Sequence, residues 1–352
     1  MDTMDTMAAA PKQESMESPL ELIWDWSYEI EQTKLEDLYR KAKREQWNAD
    51  VDVDWSKPVD PGGRILDPER SALLRMKFFQ RLSESQREAF NAHNSASILS
   101  QILHGEQGAM MVAAELVASV PDYEAKLYSA SQGMDEARHV EVFSRYIRKL
   151  DKIYPVTGPL KDLLARIMET RHWQSKTVGM QVILEGLALG TFINVRASTS
   201  CELLRQVLTY VIKDEARHVA FGNLYLTAAI ADMHPDDRAE VEDFALEMMR
   251  RLLSMRRGAD SMRGFDQVLV DTGVDPDDFV RALHEEIREG FKLDSPPGSV
   301  HSFRGLILPG IVRAGLASER VRAEYEAAEI RLFSDTALLE ELEESGGISG
   351  RA

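Results

Sequence analysis

The sequence predicts an all-α protein organised round a four-helix bundle with additional flanking helices, and three observations carry that prediction. Almost no stretch alternates apolar and polar residues with period two, so strands should be rare. From Asp67 onward, long helix-compatible stretches dominate, bounded by start and stop residues. The hexapeptide DEARHV occurs twice, at 135–140 and at 214–219, inside two of those stretches.

Residues 1–18 read as a disordered tail, small, polar and Met-rich, with MDT duplicated. Residues 19–66 read as a helical and extended arm. Its helix is expected around Tyr28–Trp47, followed by the Pro-marked link DVDWSKPVDPGG. Trp24, Trp26, Trp47 and Trp55 are expected to anchor this arm on the main body. Residues 67–260 form the bundle. Asp67-Pro68-Glu69 places a capping residue before a proline at the first helical position. Helices are expected over Ser83–Val120, stopped by Pro121, then over Asp122–Leu150, Ser175–Ser198, Cys201–Ala231 and Pro235–Arg256. Residues 261–352 are a helical extension, with helices near Pro276–Phe291 and Ser318–Glu344. DSPPGS (294–299) reads as a loop, and the closing GGISGRA as frayed.

The formal charge is −17. A bare acidic surface repels phosphate backbones and anionic lipids, so neither nucleic acid nor a membrane is an expected partner. No apolar run approaches the ~20 residues that span a bilayer. The first residues lack the basic and apolar segments of a secretory signal, so the cytoplasm is the expected location. Cys201 is the sole cysteine. No disulfide framework, thiolate zinc site or iron–sulfur module can therefore be built, and electrons for redox chemistry must come from elsewhere.

The duplication extends beyond the hexapeptide. Glu106 lies in ILHGEQGAMM and Glu185 in QVILEGLALG; 185 − 106 and 214 − 135 are both 79. One shift therefore maps Glu106, Glu136 and His139 onto Glu185, Glu215 and His218. In each half the lone Glu precedes the paired Glu by 30 residues, since 136 − 106 equals 215 − 185. That separation lets a chain run along one helix, turn and return antiparallel to a similar depth, about 20 Å each way. In Glu-x-x-His the two side chains share one helical face. Two such hairpins aim four carboxylates and two imidazoles at one interior point, the ligand set of dinuclear carboxylate bundles. A carboxylate amid ILE and GLALG is costly to bury unpaired, and a bound cation removes that cost. Oxygen and imidazole donors without thiolate suit iron or manganese, with zinc or copper as competitors.

A single Glu-x-x-His on a helix is ordinarily a solvated Glu and a half-buried His; six residues of the right types at matched offsets rarely coincide. Asp135 and Asp214 directly precede the paired Glu residues and could accept the outer N–H of a histidine, that of the opposite half included. Arg138 and Arg217 could pair with those aspartates. One turn from the ligands stand Met110, Phe143, Leu189 and Gly222. The first three could wall an apolar substrate pocket and Gly222 could leave room in it; ordinary bundle core explains each as well.

On GMDEARH (133–139), ILHGEQGAM (102–110) and the second DEARH (214–218), the chain resembles the ferritin-like di-iron oxygenases over about residues 85–230. The hydroxylase subunits of bacterial multicomponent monooxygenases look nearest. Ribonucleotide reductase small subunits, acyl-carrier-protein desaturases, arylamine N-oxygenases and ferritins are broader relatives. The resemblance implies a ferritin-like bundle holding two Fe ions, or Mn/Fe, on Glu106, Glu136, His139, Glu185, Glu215 and His218, with Asp135, Arg138, Asp214 and Arg217 behind them. It implies O2 as co-substrate, an external ferredoxin or reductase, and hydroxylation, desaturation or N-oxygenation of a small organic substrate. A ferroxidase, or a Mn/Fe ligand-binding oxidase, would use the same six ligands. A homodimer is the expected assembly.

Departures narrow the choice. Only 46 residues separate His139 from Glu185 (185 − 139), shorter than in the large monooxygenase subunits. Phe143 stands where the reductase small subunits place a radical tyrosine. Val211 stands where arylamine N-oxygenases carry a further histidine ligand. Flanks of roughly 85 and 120 residues are large beside an ordinary domain of about 150, and speak against a ferritin cage subunit.

Overall fold

The computed structural model describes residues 13–59, 73–257, 265–292, 298–332 and 337–345. Asp67-Pro68-Glu69, the closing GGISGRA and most of the expected tail and of the DSPPGS loop lie outside the described residues. Helices build the fold, and no strand forms among the described residues.

The arm contributes α1 (Thr33–Arg44), shorter than the expected 28–47, and a single turn, α2 (Lys77–Gln80), precedes the bundle. The first hairpin is α3 (Glu84–Ser119) with α4 (Tyr123–Leu150). Ser83 starts α3 through a reciprocal capping box, its hydroxyl accepting from Gln86 N and the Gln86 side chain accepting from Ser83 N. After α5 (Gly158–Met168) comes the second hairpin, α6 (Trp173–Ser198) with α7 (Glu202–Ala231). The interior of α6 departs from α-helical winding: Val178–Leu184 form a π-helical segment that leads into Glu185.

The hairpins explain the 30-residue spacing. From Glu106 to Ser119 is thirteen residues (119 − 106), and from Tyr123 to Glu136 again thirteen (136 − 123). In the second hairpin, 198 − 185 and 215 − 202 are likewise thirteen. Equal legs joined by three-residue turns return each Glu-x-x-His to the depth of its lone Glu.

Three further features hold the bundle. Lys176 is fully buried; its ammonium donates to Ile167 O and Met168 O, capping α5, and pairs with Glu115 Oε2 at 2.8 Å. Burial pushes its pKa down while Glu115 resists that shift. Helix α6 reaches the length and mean hydropathy of a membrane span, against the expectation that no apolar run would, but 72% of its most apolar window is buried among the other helices. Finally, the apolar core has two parts. On α4, Tyr128 belongs to one and Phe143 to the other; on α7, Phe221 and Val211 divide the same way. The polar residues Glu136 and His139 on α4, and Glu215 and His218 on α7, fall between these on each helix.

The remaining helices are α8 (Pro235–Arg257), α9 (Asp266–Asp271), α10 (Pro276–Arg288), α11 (303–313, opening on a π turn over Phe303–Ile307), α12 (Glu319–Ala327) and α13 (Ala337–Ser345). The single helix expected over 318–344 is therefore two. Helices α5, α9 and α11 were not expected. FRGLILPGIVR carries two glycines and a proline, yet its glycine-bearing partner face admits it: a Cβ on Gly190 of α6 would lie 2.1 Å from Ser302 Oγ, so only glycine lets the two segments approach.

Of the four arm tryptophans, two are anchors and two are not. Trp47 is buried against Tyr210, ring centroids 5.1 Å apart, and Trp55 donates to Ala49 O while Arg145 lies over its ring. Trp24 and Trp26 stack on each other and stay 62% and 70% exposed. Their neighbours in ELIWDWSYEI offer no helix to bury a ring against.

Candidate metal centre

The structure brings all six predicted ligand residues to one point between the hairpins. None is more than 4% exposed. Their donor atoms form two overlapping groups, Glu106–Glu136–His139–Glu215 and Glu136–Glu185–Glu215–His218, each with atoms within 4.8 Å of one another. The 79-residue shift converts one group into the other. Glu106 and His139 belong to the first group alone, Glu185 and His218 to the second alone, and Glu136 and Glu215 to both.

Both imidazoles turn Nδ1 inward. His139 Nδ1 lies 3.1 Å from Glu106 Oε2, 3.1 Å from Glu136 Oε2 and 3.0 Å from Glu215 Oε1. His218 Nδ1 lies 3.1 Å from Glu136 Oε1 and 3.1 Å from Glu215 Oε2. The outer nitrogens cross to the other half: His139 Nε2 is 3.1 Å from Asp214 Oδ2, and His218 Nε2 is 3.3 Å from Asp135 Oδ2. An aspartate accepting at Nε2 fixes each ring's tautomer and leaves Nδ1 free to ligate. Arg138 and Arg217 each pair with both aspartates, closing a buried four-membered charge network.

Protons alone would hold this cluster in an uneven state. Burial pushes every carboxyl up. At Glu106 and Glu185 burial prevails, reinforced by the Glu215 charge, and both sit well above the usual carboxylate range. At Glu136, burial is outweighed by His218 and His139, and at Glu215 by a hydrogen bond from Glu185 and by the imidazoles, so both sit below it. Burial pushes the imidazoles down, but Asp214, Glu106 and Glu136 raise His139, and Glu136 and Glu215 raise His218, well above the ordinary value. Four carboxylates and two imidazoles packed in apolar surroundings make a costly arrangement without a counter-charge. Two divalent cations cancel the four carboxylates, and hard oxygen and imidazole donors without thiolate fit iron or manganese.

A lid closes over the network, and sequence reasoning missed it. Residues 45–47, just after α1, reach in together. Arg217 donates to Glu45 Oε2 at 3.0 Å, Gln46 Nε2 donates to Asp135 Oδ1 at 2.9 Å, and Trp47 Nε1 donates to Asp214 Oδ2 at 2.7 Å. Arg138 donates back to Gln46 Oε1 and lies over the Trp47 ring, 5.0 Å from its centroid. Nothing in REQW signals this, because the partners are about ninety or more positions away in the chain. Trp47→Phe keeps the stacking on Tyr210 but removes one of the donors to Asp214, leaving those of His139, Arg138 and Arg217. We expect a loss of roughly 1–3 kcal/mol in unfolding free energy, read by denaturant titration; a change under a few tenths would show the hydrogen bond to be idle.

The predicted pocket walls have a different fate. Phe143 stacks on Phe192, centroids 5.5 Å apart, and Leu189 is fully buried beside them, so both are core. Met110 is half-buried on α3. Gly222 does not leave room: a Cβ there would lie 2.6 Å from Gln181 Cβ, so the π-helical segment of α6 already fills that space. Gly222→Ala should destabilise the fold by about 1–3 kcal/mol through overpacking, seen as a lowered thermal midpoint; an unchanged midpoint would mean that α6 yields there. A surface cavity of about 820 Å³ lies between α1 and α7, and none of the four predicted wall residues lines it.

A helical bundle enclosing a repeated carboxylate–imidazole cluster defines the ferritin-like class of dinuclear-metal oxidoreductases, which use metal and dioxygen. Within that class, the family model for p-aminobenzoate N-oxygenase AurF matches residues 29–268, more than half of the chain, and the chain belongs to that family. A search of curated proteins found no match. Among solved structures, two variants of an R2-like ligand-binding oxidase with anaerobically reconstituted Mn/Fe cofactor are similar at 17% identity. Each comparison covers 77% of this chain and 95% of the other, with TM-scores of 0.43 and 0.45. The same oxidase with aerobically reconstituted Mn/Fe cofactor aligns at 17% identity and TM-score 0.41, covering 77% and 94%. These likenesses carry no argument about this chain.

The family match corrects one inference. Motif for motif the hydroxylase subunits look nearest, yet the match lies with the N-oxygenases, within which Val211 remains a departure. Val211 is fully buried in apolar core one turn before Glu215, so this family member has packing where the sequence comparison looked for a seventh donor.

Proposed function

We propose that Glu106, Glu136, His139, Glu185, Glu215 and His218 hold two metal ions, iron in both positions or iron with manganese. The chain uses them with dioxygen and external electrons to oxidise the nitrogen of an aromatic amine, p-aminobenzoate being the first compound to try. The observation that carries this reading is the twofold-repeated ligand cluster within a chain of the N-oxygenase family.

The metal pair, when bound, supplies the dioxygen chemistry. The chain supplies the rest. Asp214 and Asp135 orient the imidazoles, Arg138 and Arg217 neutralise those aspartates, and Glu45, Gln46 and Trp47 seal that side against water. Cys201 is the chain's only cysteine, so the electrons come from a ferredoxin or reductase.

The test is turnover. Protein loaded anaerobically with ferrous iron is given p-aminobenzoate, a reductant and dioxygen, and products are read by mass. An oxygenated nitrogen in stoichiometric relation to dioxygen consumed is the expected result. Oxygen uptake that tracks only ferrous oxidation, with every aromatic amine recovered unchanged, would replace this reading with iron handling.

A further inference from the structure

Beside the cluster lies a polar pair that the metal centre does not account for. Gln132 and Gln181 are both fully buried. Gln132 stands one turn before Glu136 on α4, and Gln181 one turn before Glu185 on α6. In the π-helical segment VGMQVIL, Gln181 is the only polar side chain, and all seven residues are buried. The segment is admitted by Gly222, whose missing Cβ would fall 2.6 Å from Gln181 Cβ. π-Helical turns strain the backbone ladder and recur where a side chain must be aimed.

The direction of the hydrogen bonds decides what is left over. Gln132 Nε2 donates to Glu136 Oε1 at 2.9 Å and to Glu185 Oε1 at 3.4 Å. Carboxylates accept, so Gln132 must turn its NH2 toward them and its carbonyl toward Gln181. Gln181 Nε2 then donates to Gln132 Oε1 at 3.4 Å. The relay ends on Gln181 Oε1, a buried acceptor without a hydrogen-bond partner among the described residues. Buried polar atoms are nearly always paired, and an orphan at the edge of a reaction centre calls for a ligand. Because the carboxylates set the polarity, that ligand must bring a donor.

We propose that Gln181 Oε1 is the specificity determinant for the amino group: it accepts an N–H of the aromatic amine and holds the nitrogen at the Glu136–Glu185 edge of the cluster. This rests on the arylamine reading above. A site built to pair an N–H discriminates against an isostere lacking it, because the acceptor is then stranded.

Calorimetry on anaerobic, iron-loaded protein reads this without turnover. The probes are p-aminobenzoate and p-toluate, which carries methyl in place of amino. The parent should bind the amine on the order of tenfold more tightly. Gln181→Met, similar in length and without the acceptor, should erase that ratio while changing p-toluate binding by no more than about twofold. Should Gln181→Met not fold, Gln181→Asn reads the same ratio, which is expected to fall as the acceptor is drawn back. A parent that prefers the amine while Gln181→Met (or Gln181→Asn) leaves the ratio intact, or weakens both ligands equally, overturns the role of Gln181 and leaves the arylamine reading standing. A parent that binds neither probe, or both equally, overturns the arylamine reading and this inference together.

Discussion

Replacing either shared carboxylate, Glu136→Ala or Glu215→Ala, should empty both metal positions, whereas Glu106→Ala or Glu185→Ala should empty chiefly one. The asymmetry follows from the overlap of the two donor groups: Glu136 and Glu215 belong to both, Glu106 and Glu185 to one each. Two divalent ions held by such overlapping groups would be close neighbours and would repel strongly. A carboxylate shared by both donor groups would ligate and screen both ions; its loss would leave a single shared carboxylate for that work. Losing Glu106 removes one donor from one ion and leaves the Glu136–Glu185–Glu215–His218 group whole. Iron per chain after anaerobic loading and desalting reads the result directly. About two in the parent, near zero for the shared pair and about one for the terminal pair are expected. Equal loading in all five proteins would show that the cluster is not the site. Equal partial loss in all four variants would remove the distinction between shared and terminal ligands. Melting curves of the metal-free variants separate lost ligation from lost folding.

Metal loading should also release protons near neutral pH and should weaken as pH falls. Burial and the Glu215 charge raise Glu106 and Glu185 well above the carboxylate range, so a cation competes with a proton at both. The surrounding carboxylates raise His139 and His218 well above the ordinary imidazole value, so ligation through Nδ1 competes with a proton there as well. Glu136 and Glu215 are held low and have none to give. The sign for the metal-free fold is the reverse. The imidazolium–carboxylate pairs stabilise it below the unfolded histidine pKa of about 6.5, and that contribution fades as pH rises through the raised folded values. The two raised carboxyls act in the same direction: their folded form prefers the proton, so stability falls as pH rises. Metal-free protein should therefore be most stable on the acid side of neutrality and metal-loaded protein on the alkaline side. A pH-stat during anaerobic ferrous addition measures the protons; no release, or loading independent of pH from 5 to 8, would refute the protonation pattern (roughly the range over which these groups titrate).

The sequence by itself determined, as a pattern, which six residues converge and the helices that carry them. The 79-residue offset and the 30-residue gap require two equal hairpins, and the observed legs of thirteen residues follow because 1.5 Å per residue leaves no other way to match depths. The crossing of Asp135 to His218 and Asp214 to His139 was among the arrangements the sequence allowed, since a repeated Asp-Glu-x-x-His on facing helices brings each aspartate near the other half's imidazole. What only the tertiary structure decided lies in contacts between distant segments with no periodic signal. The Glu45–Gln46–Trp47 lid is three ordinary residues until α1 packs across α4 and α7. The π-helical turn at Val178–Leu184 has the composition of any apolar helix; its extra residue per turn is imposed by the neighbours that Gln181 and Gly222 must fit. The same packing assigned Phe143 and Leu189 to the core. Local spacing sets which residues can share a face, because helix geometry repeats along the chain. Which neighbour covers that face depends on the sum of many weak contacts, and that sum is complete only in the folded molecule.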